Sequence, residues 1–176
     1  MNVIEFIDQV LLSEIKDITQ HHAYLGFGLI AGGIEFLGAL SDSYDFDEPN
    51  NSADRFNKAI TSFFDSRYHP YADRENLFYL YKNLRCGMLH VIIPQNVLVL
   101  GDQNDKDKEH LKKCIFGGTE RLFLRVEEFY DDFEKACNTV KGAIRDKSIL
   151  DNADVRRSSD KKRNILALKN HLLLIG

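Results

Sequence analysis

Arg85 and His90 are the residues of this sequence whose types and spacing could do chemistry. Histidine titrates near neutral pH, so its side chain can accept and donate a proton, and arginine is a permanent cation whose fork fits a phosphate. Together they are a minimal set for phosphodiester cleavage without a metal. A ribose 2′-hydroxyl would lose its proton to His90 and attack the adjacent phosphate, while Arg85 stabilises the charge that develops. In a chain with ten Arg and six His such a spacing is expected by chance, so the spacing alone decides nothing.

The pair stands at the end of an apolar helical segment, where solvent and ligand can reach His90. On an α-helix, a rotation of about 100° per residue points side chains five positions apart in directions about 140° apart. The two residues therefore meet if the helix bends at Gly87, if the long Arg85 side chain reaches around, or if both face one site from different sides. A structural interpretation is also open, in which Arg85 pairs with an acid and His90 caps the C-terminus of the helix, where a cation is favoured.

Glu35 is the predicted partner of Arg85. It is the one charged residue in the apolar run Ala23–Leu40, and burying a bare carboxylate costs several kcal/mol. We therefore expect Glu35 to reach Arg85 and orient it. The same run holds five glycines, which weaken a helix but make sense where another backbone approaches closely. Asn83, two residues before Arg85, is a further polar side chain that could support the pair.

The apolar spacing of the first 90 residues predicts a helical core. An amphipathic helix covers about residues 3–18, residues 23–40 form a central helix, and a third helix covers about residues 52–64. Residues 66–72 are predicted to be a loop, and a fourth helix is predicted over about residues 73–90. The positions of this fourth helix that should be buried are Leu77, Phe78, Leu80, Tyr81, Leu84, Met88 and Leu89.

The pattern then changes to strands. Asn96–Leu100, Leu111–Phe116 and Arg121–Val126 are short strand candidates, and Gly117-Gly118 is a two-residue hairpin signal between the last two. We therefore expect a small antiparallel β-hairpin or three-stranded element around residues 96–126.

The expected organisation is a single, mainly α domain over the whole chain. Core helices occupy residues 1–90, the small β element residues 91–126, and C-terminal helices residues 127–176. Helical spacing returns from Phe129, and the run Ile165–Ile175 is apolar enough to dock on the core.

The stretch LYKNLRCGMLH, following the apolar helices, resembles the HEPN superfamily, whose helical domains carry an Arg-x4–6-His motif late among the core helices. The resemblance covers about residues 1–90 in helix pattern and only Arg85 and His90 in chemistry. It implies an up-and-down helical bundle, a homodimer whose two motifs converge on one cleft, and a metal-independent endoribonuclease, often a toxin or defence effector with a cognate antitoxin. On that mapping Arg85 binds phosphate and His90 transfers the proton.

One position departs from the family pattern. The family usually has a polar residue directly after the Arg, and here Cys86 stands there. Some members have lost activity and act as binding or antitoxin-like modules. The alternative is therefore a non-catalytic interaction module of the same type, which binds a partner protein or RNA.

Charge is unevenly spread along the chain. The net charge of -4 gives no overall attraction to nucleic acid. Residues 1–80 carry five basic and thirteen acidic groups, whereas residues 141–176 carry nine basic and four acidic groups. The basic end could contact phosphates or be a solvated helix face. The candidate RNA contacts are Tyr81, Lys82, Arg156, Arg157, Lys161, Lys162 and Arg163, although packing in the core or at an interface is favoured for Tyr81.

No cofactor, metal or membrane is expected, and the expected location is the cytoplasm. Cys86, Cys114 and Cys137 form neither a disulfide framework nor a metal-ligand spacing. The first residues lack the basic region of a signal peptide. Ala23–Leu40 approaches the length of a membrane span, but Glu35 near its middle would be costly in lipid.

Overall fold

The computed structural model describes residues 3–146, apart from residues 43, 45 and 47. This part of the chain is mainly helical and contains one three-stranded sheet, as the sequence predicts. The basic cluster from Arg156 to Arg163 and the run Ile165–Ile175 lie outside the described residues.

The first helix, α1, covers residues 3–21 in three consecutive parts. Val3–Phe6 and Ile15–His21 are α-helical, and Ile7–Glu14 between them is wound as a π-helix. Of the predicted apolar stripe, Ile7, Leu11 and Ile15 are buried and the remaining positions are partly buried, and Leu12 beside the stripe is buried as well.

The central helix is α2, Ala23–Ser41, and ten of its residues are buried. Its glycines do permit close approach: a Cβ at Gly38 would overlap the backbone of Arg55, and one at Gly33 would overlap the ring of Phe133. Among the described residues, α2 is the one helix whose length and composition would allow it to cross a membrane, and 56% of its most apolar stretch is buried. This burial is consistent with the core helix of a soluble protein.

The third helix, α3, is Ser52–Phe63 and agrees with the predicted range. It buries Phe56, Ala59 and Ile60 against the core. The predicted loop after it is instead a 3-10 helix, Ser66–Ala72. The side chain of Asp65 caps this helix by accepting a hydrogen bond from the backbone N–H of Arg67 at 2.9 Å.

The predicted start of the fourth helix is wrong. Residues 73–79 form turns in which the side chains of Asp73 and Asn76 accept hydrogen bonds from backbone N–H groups two residues ahead. Such bonds compete with helix formation. The helix α4 therefore covers residues 81–90, as π-helical Tyr81–Cys86 followed by α-helical Gly87–His90. Leu77 and Leu89, predicted to be buried, are 63% and 44% exposed.

The sheet consists of β1 (Leu98–Gly101), β2 (Lys112–Phe116) and β3 (Thr119–Arg125) in the order β1-β3-β2. β2 and β3 form the predicted antiparallel hairpin, with both turn glycines at positive φ. The expectation of an all-antiparallel element is wrong, because β1 pairs with β3 in parallel. The loop after β1 carries the chain across to β2 at the opposite edge of the sheet, so that β3 takes the central position.

The last described helix, α5 (Val126–Arg145), begins directly after β3, three residues before the predicted position. It packs along α1, where the Tyr130 hydroxyl donates to the carbonyl of Leu12 at 2.9 Å and Lys141 pairs with Asp8. Helices and strands share one apolar core, to which β3 contributes Leu122 and Leu124.

A buried polar chain links the sheet, the 3-10 helix and α5. The backbone N–H of Arg125 donates to Nδ1 of His110 at 2.9 Å, so His110 carries its proton on Nε2 and donates to the Tyr68 hydroxyl at 2.7 Å. Tyr68 donates in turn to Asp132 at 2.9 Å, which also pairs with Arg67. Burial lowers the pKa of His110 to about 4, so the imidazole is neutral at physiological pH.

Candidate functional site

Arg85 and His90 meet on α4, at the surface of the protein. Nη1 of Arg85 lies 3.3 Å from Nε2 of His90, and the imidazole is exposed. Guanidinium nitrogens only donate, so Nε2 is the acceptor in this contact and His90 carries its proton on Nδ1. Arg85 belongs to the π-helical part of α4, which has more residues per turn than an α-helix. The wider winding and the long arginine side chain bring together residues that α-helical geometry separates.

Glu35 of α2 holds the other edge of the guanidinium. Nε of Arg85 donates to Oε2 of Glu35 at 2.6 Å, and the two side chains are only 14% and 18% exposed. The ion pair predicted from the apolar context of Glu35 is thus present. Because Nε is engaged by the carboxylate, the guanidinium is oriented with Nη1 toward His90.

Tyr81 lies beneath Arg85, with the guanidinium carbon 5.5 Å from the ring centroid. The ring also packs edge-on against Phe56 at a centroid distance of 5.8 Å. Burial raises the pKa of the Tyr81 hydroxyl, the neighbouring Cys86 adds to the rise, and the charge of Arg85 opposes it. The ring of Tyr81 thus packs against one face of the guanidinium. The next residue, Lys82, is exposed.

Asn83 is buried and acts on the placement of α4. The side-chain amide N–H of Asn83 donates to the backbone carbonyl of Leu77 at 2.9 Å. The backbone carbonyl of Asn83 accepts a hydrogen bond from the backbone N–H of Gln95 at 2.8 Å. These bonds join the turns on both sides of α4 and do not reach Arg85 or His90. Asn83 supports the helix that carries the pair.

A tight turn directly follows His90. Ile92 has a φ of 58°, which is strained for a β-branched residue. The turn packs on Gly87, where a Cβ would overlap the carbonyl oxygen of Ile93. Glycine at this position therefore lets the turn pack closely against the helix.

Tyr24 is a residue of this region that the sequence did not reveal. Its hydroxyl donates to the carbonyl of Ile92 at 2.6 Å and ties the turn to α2. The two residues are 68 positions apart in the chain, and neither has a sequence signal of its own. The tether holds the backbone that leaves His90.

The arrangement offers an exposed imidazole beside an oriented cation. Within residues 3–146 as described, no group of three or more His, Cys, Asp and Glu side chains is placed to hold a metal ion. Comparison of the chain with protein-family models, with curated proteins and with solved structures gives no match.

Proposed function

We propose that this protein is a metal-independent endoribonuclease of the HEPN type, acting in the cytoplasm as a toxin or defence effector. The observation that supports the proposal is the hydrogen bond between Arg85 and the exposed His90. The proposed working form is a homodimer in which the His90 side chains of both copies face one cleft. A cognate antitoxin is its proposed partner protein.

The hydrogen bond also suggests how the site begins to work. A phosphate approaching Arg85 competes for Nη1, because a charged acceptor binds guanidinium more strongly than an imidazole does. Nε2 of His90 is then free to take the proton of a ribose 2′-hydroxyl. The alkoxide attacks the adjacent phosphorus, the bond to the 5′-oxygen of the next nucleotide breaks, and the protonated His90 returns a proton to that leaving oxygen. Arg85, held by Glu35, stabilises the charge on the phosphoryl oxygens.

RNA would extend beyond the pair along basic side chains. Lys82 is exposed one residue after the tyrosine that supports Arg85. The proposed contacts further along the RNA are Arg156, Arg157, Lys161, Lys162 and Arg163, which lie outside the described residues.

A second candidate function is a non-catalytic interaction module on the same scaffold. It is favoured by the state of Arg85, whose charge is already paired with Glu35 and whose side chain is only 14% exposed. Cys86 stands where the family usually has a polar residue. Such a module would bind RNA or a partner protein through the same surface without cleaving it.

The test is cleavage of single-stranded RNA in the presence of a chelator. Wild-type protein is compared with His90→Ala and with His69→Ala, a matched control at an exposed histidine of the 3-10 helix. We expect His90→Ala to lose cleavage by about 100-fold or more, the usual contribution of a general base, and His69→Ala to keep it.

Equal cleavage by all three proteins would refute the enzyme proposal. Binding of RNA or a protein without cleavage would favour the second candidate. Light scattering of the purified protein tests the homodimer, because the monomer mass is 20.2 kDa.

A further inference from the structure

An open apolar groove lies beside the site but is not part of it. It encloses about 500 Å³ between the end of α1, the first half of α2 and the end of α4. Four apolar side chains of its wall are between 40% and 58% exposed: Leu25, Leu29, Leu89 and Ile92. Ile18 at the end of α1 and Met88 of α4 also line the groove.

The groove belongs to a larger exposed apolar surface. Beyond its wall, Tyr24, Val91 and Ile93 are also large apolar side chains with high exposure, and they lie next to groove residues in the chain. Single exposed apolar residues need no explanation, but exposed apolar side chains gathered around a groove mark an interaction site.

The same chain contains an apolar segment of matching character. Residues 147–176 follow the described part, and Ile165, Leu168, Leu172 and Ile175 recur at intervals of three and four residues. That spacing is typical of one face of a helix. We propose that the segment Ile165–Ile175 of this chain docks its apolar stripe into the groove.

The connection is long enough for this docking. Near its C-terminal end α5 pairs with Asp8 through Lys141, while further back Tyr130 bonds to Leu12, so the two helices run antiparallel. From Asp8 to Ile18, at the groove, α1 rises about 15 Å. Residues 146–164 can span about 60 Å when extended, which exceeds that distance several-fold.

Attachment favours the chain's own segment over a second copy. A short linker gives the attached segment an effective concentration in the millimolar range. A second copy at the micromolar concentrations of a purified protein meets the groove far less often. Docking of this segment does not depend on the proposed function, because neither Arg85 nor His90 belongs to the groove wall.

The chain has no tryptophan, so a single introduced tryptophan reports on its own surroundings. The full-length Leu172→Trp variant places the fluorophore in the apolar stripe, and Asn170→Trp places it outside the stripe as the matched control. We expect blue-shifted emission and severalfold weaker quenching by acrylamide for Leu172→Trp, and emission typical of solvent for Asn170→Trp.

A second substitution tests whether the groove is the docking site. Leu29→Arg, added to Leu172→Trp, introduces a charge on the groove wall and should return the emission to that of an exposed tryptophan. Leu77→Arg is the matched control, because Leu77 is 63% exposed and lies outside the groove lining. Circular dichroism shows whether either arginine variant has lost its fold.

Three results would overturn the proposal. Solvent-like emission of Leu172→Trp would show that the segment does not dock. Protected emission that survives Leu29→Arg in a folded protein would place the segment elsewhere. Protection that disappears on dilution from micromolar to nanomolar protein would assign the groove to a second copy.

Discussion

Acidification should destabilise this protein through His110, and the size of the effect can be worked out. In the folded state burial lowers the pKa of His110 from 6.5 to about 4, and the positive charges of Arg67 and Arg125 add to the lowering. In the hydrogen-bond chain Nδ1 already accepts the N–H of Arg125, so a second proton there would break this bond.

The sign follows from which state binds the proton. Between pH 6.5 and about 4 the unfolded chain protonates His110 and the folded protein does not, so the free energy of unfolding decreases as the pH falls. At about 1.4 kcal/mol per pH unit, the loss of stability relative to pH 7.5 is about 2 kcal/mol at pH 5 and about 3 kcal/mol at pH 4. Stability from this residue is fully present above pH 6.5.

Urea denaturation followed by circular dichroism at pH 7.5, 6 and 5 measures this loss. The His110→Asn variant keeps an acceptor for the Arg125 N–H and removes the titrating group, so its stability should be lower throughout but should change much less between pH 7.5 and 5. His69→Asn, at an exposed position, should keep the wild-type pH dependence. If His110→Asn retains the full wild-type loss between pH 7.5 and 5, the reasoning is refuted.

Two further predictions concern packing and charge. Gly38→Ala should destabilise the protein by about 3 kcal/mol or more, since the new methyl group would overlap the backbone of Arg55. Gly142→Ala, in a helix with open space around it, should stabilise it by up to about 1 kcal/mol; thermal unfolding measures both, and equal effects would contradict the packing argument. Glu35→Gln keeps an acceptor for Arg85 and should cost about 1 kcal/mol, whereas Glu35→Leu leaves the cation unpaired and should cost about 3 kcal/mol. Urea denaturation at pH 7 compares the free energies of unfolding of the two variants. Equal values would contradict the idea that the buried charge of Arg85 needs a polar partner at position 35.

The helical core could be predicted because its periodicity reflects burial. Apolar residues at helical spacing predicted α1, α2 and α3 in nearly their observed ranges. The start of α4 could not be predicted in this way, because Asp73 and Asn76 use their side chains to satisfy backbone groups in turns. Leu77 fits an apolar helical pattern and is nevertheless exposed.

The direction of β1 relative to β3 could not be predicted from the local sequence pattern. The two glycines at 117 and 118 indicate a hairpin because both adopt positive φ, so β2 and β3 were predictable as a pair. The parallel pairing of β1 depends on how the loop after it crosses the sheet, and the end of that loop is held by a tertiary contact, the bond from the Arg125 N–H to His110.

The candidate site was partly predictable for the same kind of reason. An isolated carboxylate in an apolar run needs a partner, and this requirement pointed from Glu35 to Arg85. Arg85, which contacts His90, belongs to a π-helical segment for which the sequence shows no signal. The bond from Tyr24 to Ile92 joins residues distant in sequence, and only the fold brings them together.

The antiparallel packing of α5 on α1 has a consequence for synthesis on the ribosome. The contacts between Tyr130 and Leu12 and between Lys141 and Asp8 span 118 and 133 positions of the chain. Until α5 has emerged from the ribosome, the apolar face of α1 lacks one of the helices against which it packs in the folded protein. We therefore expect nascent chains that stop before about residue 125 to bind chaperones that recognise exposed apolar helices, and this binding to fall once α5 is complete.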